Sequence, residues 1–192
     1  MEGIEFFQEH KTIFVIGHVL SVIAGMGAAL VSDVMFNMFL KGSRQISASE
    51  SKILYRLSGM IWVSIFFIIA TGTAIFLSNP EFYGHSDKFL LKMTVVFGII
   101  LNGIVFWLYL HPKLTQIKFG EVTLTPSLER ARSIAFASGA FSFVSWLVAF
   151  TLGSISAIPV NYKIGLAVYL VISAGAIIVS QFLKLSLAKA GK

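Results

Sequence analysis

The chain has 192 residues, of which 56% are apolar and only 12% are charged, and phenylalanine alone occurs 18 times. This balance excludes an ordinary soluble domain and is typical of an integral membrane protein. The chain contains no cysteine, which excludes disulfides, thiolate metal sites and cysteine nucleophiles.

Five apolar segments are long enough for a transmembrane helix, which needs about 20 residues. They are predicted over residues 12–40, 54–78, 89–111, 131–155 and 164–187. The first is longer than a crossing needs, so it is expected to tilt or to extend past the membrane, and no cleaved signal peptide is predicted. No repeat or linker divides the segments. Residues 1–192 are therefore predicted to form a single all-α transmembrane domain with five helices in an antiparallel bundle.

The charges between the segments predict the orientation of the bundle. One side carries most of the basic residues: Lys41, Arg44, Lys52, Arg56, Lys113, Lys118, Arg130, Arg132, Lys184, Lys189 and Lys192. The other side has only Lys11, Lys88, Lys92 and Lys163, with Glu2, Glu5, Glu9, Glu81 and Asp87 among them. The positive-inside rule then places the N-terminus outside and the C-terminus in the cytoplasm. Because this sidedness accounts for the net charge of +6, no nucleic acid is expected as a partner.

Small residues recur at alternating spacings of three and four along the first and fourth predicted spans, and the second span offers a looser stripe. The stripes are His18, Ser21, Gly25, Ala28 and Ser32; Ser64, Thr71, Ala74 and Ser78; and Ala135, Ser138, Ser142, Ser145 and Ala149. Helices in lipid associate through small residues that let their backbones come close. We therefore expect these stripes to face inward and the Phe, Ile and Leu faces to meet lipid.

His18 lies about two turns inside the first span, and Gly17 and Gly25 are expected to leave open space beside it. Ionisable groups within a membrane are costly and mark functional sites by default. Imidazole also binds iron, zinc and copper. His18 is thus either a metal ligand or a histidine that hydrogen-bonds to a neighbouring helix. His85, in a loop on the same side, is a candidate second ligand.

Lys92 lies one turn inside the third span, at a depth similar to that of His18. A lysine so near a helix end can lift its amine to the interface, which is the expectation for Lys92 taken alone. Taken together with His18, Lys92 could instead offer its positive charge to a buried carboxylate. Both interpretations stay open at this point.

Three further residues are unusual for the middle of a span. Asp33 lies deeper than His18, where a carboxylate must be neutral, paired or hydrated. An ion pair with Arg56 or Arg132 is expected, and a proton or ion path through Asp33 is the alternative. Asn102 is expected to hydrogen-bond across a helix interface, although it could also line such a path. Trp146 is expected to pack in the core or to line a pocket.

Three motifs follow one another along the first three spans: GHVLSVIAGMGAAL, ATGTAIFL and KFLLKMTVVFGIILNG. This order resembles a loose group of small bacterial membrane proteins that includes the HemJ-type protoporphyrinogen oxidases and the CopD-type copper-resistance membrane domain. In the HemJ-type branch, the histidine of the first span ligates a b-type haem, and the lysine of the third span belongs to the same site. The resemblance therefore implies that His18 is an axial ligand of haem b and that Lys92 pairs with a porphyrin carboxylate. It also implies the bacterial inner membrane.

The sequence departs from the HemJ-type pattern at two places. The first span lacks the expected tryptophan and Pro-Arg-Leu run, and Asn102 stands where that family tends to carry a histidine. These departures concern the oxidase activity more than the haem.

The resemblance thus implies a haem b protein that transfers electrons to or from a quinone or oxidises a porphyrinogen. Met26, Met93 and His85 are candidate sixth ligands of the iron. Two alternatives stay open. One is a small channel or transporter-like protein without a cofactor. The other is an accessory subunit or a homo-oligomer whose polar groups satisfy neighbouring helices.

Overall fold

The computed structural model describes residues 2–40, 45–118 and 124–190, which are helical over most of their length. Five helices are long and apolar enough to cross a membrane, and this confirms the prediction of an all-helical chain with five spans. They are α2 (Lys11–Phe39), α3 (Ala48–Ser78), a third span (Asp87–Gln116) that begins with α5 (Asp87–Val105), α6 (Pro126–Ser154) and α7 (Tyr162–Ala190). Two short helices, α1 (Glu2–Glu9) and α4 (Pro80–Gly84), precede α2 and follow α3.

The third span changes its helical type twice. α5 is followed by a π-helical turn, Phe106–Leu110, and then by a 3₁₀ helix, His111–Gln116. The dipeptide at His111 and Pro112 is typical of a helix end, but the helical path continues to Gln116. Pro112 lies in the first turn of the 3₁₀ segment, where its missing N–H would have no partner in the helix.

Two spans begin earlier than their apolar residues indicate, because each starts with a polar first turn. α3 begins at Ala48 rather than at residue 54. The Ser47 side chain accepts a hydrogen bond from the Glu50 N–H at 3.3 Å, and the Glu50 carboxylate accepts one from the Ser47 N–H at 2.9 Å. This reciprocal pair is a capping box. α6 begins at Pro126 rather than at residue 131, with Thr125 as its N-cap.

The helices pack along the small-residue stripes. α2 lies mainly against α3, and α6 lies against α7, α5 and α2. The inward orientation of the stripes is confirmed at the residues that are buried, which are Gly25, Ala28, Ser64, Ala74, Ser78, Ala135, Ser138 and Ser145. Large apolar side chains such as Phe66, Leu108 and Val171 are more than half exposed, as expected for surfaces that meet lipid.

Some of the charges that predict the orientation lie outside the described part of the chain. These are Lys41, Arg44 and Lys192, together with the side chains of Glu2 and Lys189. The remaining basic residues lie on the connections and helix ends where the sequence places them.

Candidate functional site

His18 and Lys92 line a single cavity of about 430 Å³ between α2, α3, α5 and α6. The structure thus brings together the two residues that the sequence singles out first. The volume falls within the range of about 300–1,000 Å³ that is usual for small-molecule and cofactor sites. We call this space the His18 cavity. Most of its wall is aliphatic, with Tyr83, Lys88 and Met93 near the two site residues.

A hydrogen bond to α3 fixes the tautomer of His18. Its Nδ1 lies 3.0 Å from Thr71 Oγ1. The Thr71 hydroxyl already donates its proton to the carbonyl of Phe67, at 2.5 Å, so it can only accept from the imidazole. In a neutral ring, Nδ1 therefore carries the proton and Nε2 holds the lone pair, which is the arrangement that a metal-binding histidine needs.

Positive charge dominates the polar part of the His18 cavity. Lys92 forms neither a hydrogen bond nor an ion pair with any described residue, and it lies close enough to His18 and Lys88 to interact with both electrostatically. Lys88 donates from Nζ to the carbonyl of Ser156 at 3.2 Å and to that of Ile155. Among the described residues that line the cavity, none is acidic. This combination favours an apolar ligand that carries negative charge at one end.

The prediction that Gly17 and Gly25 leave open space beside His18 is wrong, because neighbouring helices fill that space. A Cβ atom at Gly25 would lie 2.5 Å from Cη2 of Trp146 and 2.9 Å from Cβ of Ser64. A Cβ atom at Gly17 would meet Cγ2 of Thr71 at 3.4 Å. Gly25 therefore serves the close approach of α2 to its neighbours, the contact at Gly17 is an ordinary one, and neither glycine lines the His18 cavity.

The glycine that borders the imidazole is Gly72, which the sequence analysis did not single out. A Cβ atom at Gly72 would lie 3.4 Å from Cε1 of His18. Gly72 follows Thr71 directly, so one short stretch of α3 supplies both the hydrogen bond and the space beside the ring. The sequence feature that could have pointed to Gly72 was the pair Thr71-Gly72 within the motif ATGTAIFL.

The three candidate sixth ligands occupy different places. Met93 lines the His18 cavity, whereas Met26 packs against the apolar core. His85 is exposed at the end of α4, with Nδ1 bonded to the carbonyl of Glu81 at 2.9 Å, and it does not line the cavity. The structure therefore does not bring His85 to His18.

Side chains alone do not form a metal site in the described residues, since no three His, Asp, Glu or Cys residues lie close enough together to hold an ion. A haem places fewer demands on the protein, because its macrocycle supplies four ligands and the chain adds one or two. His18, Met93 and an unneutralised lysine in one apolar cavity fit such a group. They do not fit a copper or zinc ion bound by side chains only.

A second, smaller cavity of about 90 Å³ is lined by Asp33 and Asn102. We call it the Asp33 cavity. Asn102 bonds across the helix interface as predicted, since its Nδ2 donates to the Ser138 carbonyl at 3.2 Å and its Oδ1 accepts from the Ser138 hydroxyl at 2.9 Å. The predicted ion pair of Asp33 is wrong. Arg132 pairs with Glu129 at 2.5 Å, and no described residue pairs with Asp33.

Trp146 and Ile99 line both cavities and so lie between them. Trp146 is only 2% exposed, and its ring packs against Gly25. Both expectations for Trp146, that it packs in the core and that it lines a pocket, are confirmed. The two cavities are therefore neighbours that share an apolar wall.

These observations define the class of the protein by its architecture: an all-helical, multi-pass membrane protein whose described residues line two cavities of unlike chemistry. No family model, curated protein or solved structure matches the chain. Its function must therefore be argued from the two cavities themselves.

Proposed function

We propose that the chain is a haem b protein of the bacterial inner membrane that exchanges electrons with a quinone or a porphyrinogen. The observation that carries this proposal is the His18 cavity. It combines a histidine whose Nε2 holds the lone pair with a lysine that lacks a counter-ion. A porphyrin is apolar over its face and carries two carboxylates at one edge, and these are the two features that the cavity wall complements.

Each residue of the cavity has a distinct role in this proposal. His18 would bind the iron through Nε2, and Thr71 would hold the ring in the tautomer that permits this. Met93 is the candidate second axial ligand, because it lines the same cavity. Lys92 and Lys88 would neutralise carboxylates at the polar edge. When bound, the haem supplies one-electron redox chemistry, while the aliphatic wall keeps water away from it.

The proposed orientation places the His18 cavity toward the outer face of the membrane, with the N-terminus outside and successive spans antiparallel. It is supported by the basic residues of the described chain. Lys52 and Arg56 lie in the first turns of α3 and Lys113 lies near the end of the third span, on the side assigned to the cytoplasm, whereas Glu5, Glu9 and Glu81 lie toward the opposite ends of the helices.

The division of the interior argues against a channel as the main function. A channel needs one continuous polar path, whereas buried Trp146 and Ile99 separate the residues of the Asp33 cavity from those of the His18 cavity. The separate cavities are better suited to two separate ligands.

An absorption spectrum of the purified protein, recorded before and after dithionite, tests the proposal. We expect a Soret band and the visible bands of a reduced b-type haem. His18→Ala should abolish haem binding, and Lys92→Met should weaken it, because the carboxylate loses its partner. His85→Ala is the matched control and should bind haem normally. A colourless protein that stays colourless when haem is supplied, or normal haem binding by His18→Ala, would overturn the proposal.

A further inference from the structure

The side chain of Asp33 leaves one oxygen without a partner in the interior of the bundle. Its Oδ2 is buried from solvent and forms no hydrogen bond with any described residue. An isolated carboxylate within a membrane protein is costly unless it is protonated, hydrated or matched by a cation. Something that the described residues do not supply must therefore satisfy Asp33.

Three serine hydroxyl groups are available beside Asp33. Ser32, Ser58 and Ser142 line the Asp33 cavity, and in the described part of the chain their side chains form no hydrogen bonds. Several other serines in these helices bond to a backbone carbonyl of the preceding turn. Ser64 donates to the carbonyl of Met60 at 2.9 Å, and Ser145 donates to that of Phe141 at 2.7 Å.

The hydrogen-bonded pair of Asn102 and Ser138 can supply a further oxygen ligand to the cavity. Asn102 Oδ1 accepts one hydrogen bond from the Ser138 hydroxyl, and a carbonyl-type oxygen has a second lone pair to offer. Several oxygens from α2, α3, α5 and α6 therefore converge on about 90 Å³ of space. A single water needs about 10–15 Å³ by this kind of measure, so an ion and part of its hydration shell would fit.

No positive side chain of the described residues lines the space around this group of oxygens. Of the charged residues on the helices that pack against α2, Arg56 is exposed on α3, and Arg132 on α6 pairs with Glu129 at 2.5 Å. Lys184 on α7 also pairs with Glu129, at 3.0 Å. Among the described residues, the lining of the Asp33 cavity includes no charged side chain other than Asp33.

We propose that the Asp33 cavity binds a small monovalent metal cation such as Na⁺. The Asp33 carboxylate provides the counter-charge, and the hydroxyls of Ser32, Ser58 and Ser142 replace part of the hydration shell. Oxygen ligands favour hard cations and disfavour transition metals, which prefer nitrogen or sulfur. A single carboxylate balances a single positive charge. This site is separate from the proposed haem function, which concerns the other cavity.

Two tryptophans make the site observable without a label, because Trp62 and Trp146 both line the cavity. Trp107 lies elsewhere and is 46% exposed, so Trp107→Phe gives a background in which most emission should come from the cavity. The experiment titrates this variant in detergent with NaCl, KCl or LiCl and holds the ionic strength constant with choline chloride. We expect a saturable emission change with at least one metal cation and none with choline.

Substitutions within the cavity then test its ligands. Asp33→Asn should abolish the emission change, and Ser58→Ala or Ser142→Ala should weaken cation affinity about tenfold, as the loss of about 1.4 kcal/mol would do. Ser180→Ala is the matched control, since it removes a buried serine of α7 that lies outside the cavity. If Asp33→Asn does not fold, the double variant Ser58→Ala with Ser142→Ala keeps the charge and should still lose affinity.

A proton on Asp33 is the competing occupant, and infrared spectroscopy separates the two. A protonated-carboxyl band that is absent from Asp33→Asn, and that persists in the wild-type protein at saturating Na⁺, K⁺ and Li⁺, would overturn the proposal. Identical titrations with metal cations and with choline would overturn it as well. A band that disappears as a cation binds would support it. Because neither measurement involves haem, either result leaves the proposed haem function to its own test.

Discussion

The two cavities differ in size, sign of charge and wall, although the same helices build both. The His18 cavity is large, mostly aliphatic and positively charged, whereas the Asp33 cavity is small, rich in hydroxyls and carries one carboxylate. His18 and Asp33 are 15 residues apart on α2, which corresponds to about 22 Å along a helix. Lys92, which lies beside His18, is therefore too far from Asp33 to neutralise it. Each cavity is left with an unmatched charge, which is what a binding site for a charged ligand requires.

Removing the side chain of Trp146, which separates the two cavities, should have the largest effect on the free energy of unfolding. Trp146→Ala deletes a side chain that is 2% exposed and fills the space at Gly25, so it should merge the two cavities. We expect the free energy of unfolding to fall by about 3–5 kcal/mol, the usual loss for a large aromatic residue in a core. Unfolding monitored by circular dichroism in a mixed-detergent titration measures this. A loss below 1 kcal/mol would mean that the wall does not depend on Trp146.

Displacing Trp146 rather than deleting it should have a smaller effect. Gly25→Val places a Cβ atom 2.5 Å from the unshifted indole ring, so the ring must move. Overpacking of this kind costs about 1–3 kcal/mol in unfolding free energy. Gly27→Val is the matched control on the same helix, since a Cβ atom there meets nothing within 4 Å. Equal stability of the two variants would contradict the close contact at Gly25.

The errors at the glycines and at Asp33 have the same physical origin. The sequence shows that Gly25 frees space but not which side chain enters it, and Trp146 lies on another span. Likewise, Arg132 has the charge to pair with Asp33 but finds Glu129 one turn away on its own helix. Both outcomes depend on contacts between or along helices that local patterns do not specify.

The predictions that succeed rest on stronger constraints. A bilayer requires long apolar helices, so the five spans follow from length and composition alone. Asn102 could be expected to bond across an interface because an unpaired amide is costly in that environment. The early start of α3 was also accessible, since Ser47 and Glu50 have the spacing of a capping box.

A substitution at Thr71 gives a second test of the haem proposal. Thr71 hydrogen-bonds to His18 but does not line the His18 cavity. Thr71→Val removes the acceptor of the His18 Nδ1–H bond, so the ring loses its preferred tautomer. Loss of a partner of this kind typically lowers metal affinity by about 10–100-fold, and we expect haem affinity to fall near the lower end. Haem titration followed by absorbance measures it. Thr73→Val, on an exposed position two residues away, is the control and should bind as the wild type does.

The smallest expected effect on the free energy of unfolding concerns Asn102 and Ser138, two uncharged residues that line the Asp33 cavity. Asn102 and Ser138 exchange two hydrogen bonds between α5 and α6. A double-mutant cycle with Asn102→Leu and Ser138→Ala measures their coupling in unfolding free energy, and we expect about 0.6 kcal/mol, the average for such bonds in membrane proteins. Ser138→Ala deletes the hydroxyl but keeps the backbone carbonyl. The measured coupling therefore reports the hydroxyl bond alone and not the bond from Asn102 to the Ser138 carbonyl. A coupling above about 2 kcal/mol would contradict the expectation that this hydrogen bond is as weak as the average bond of its kind in membrane proteins.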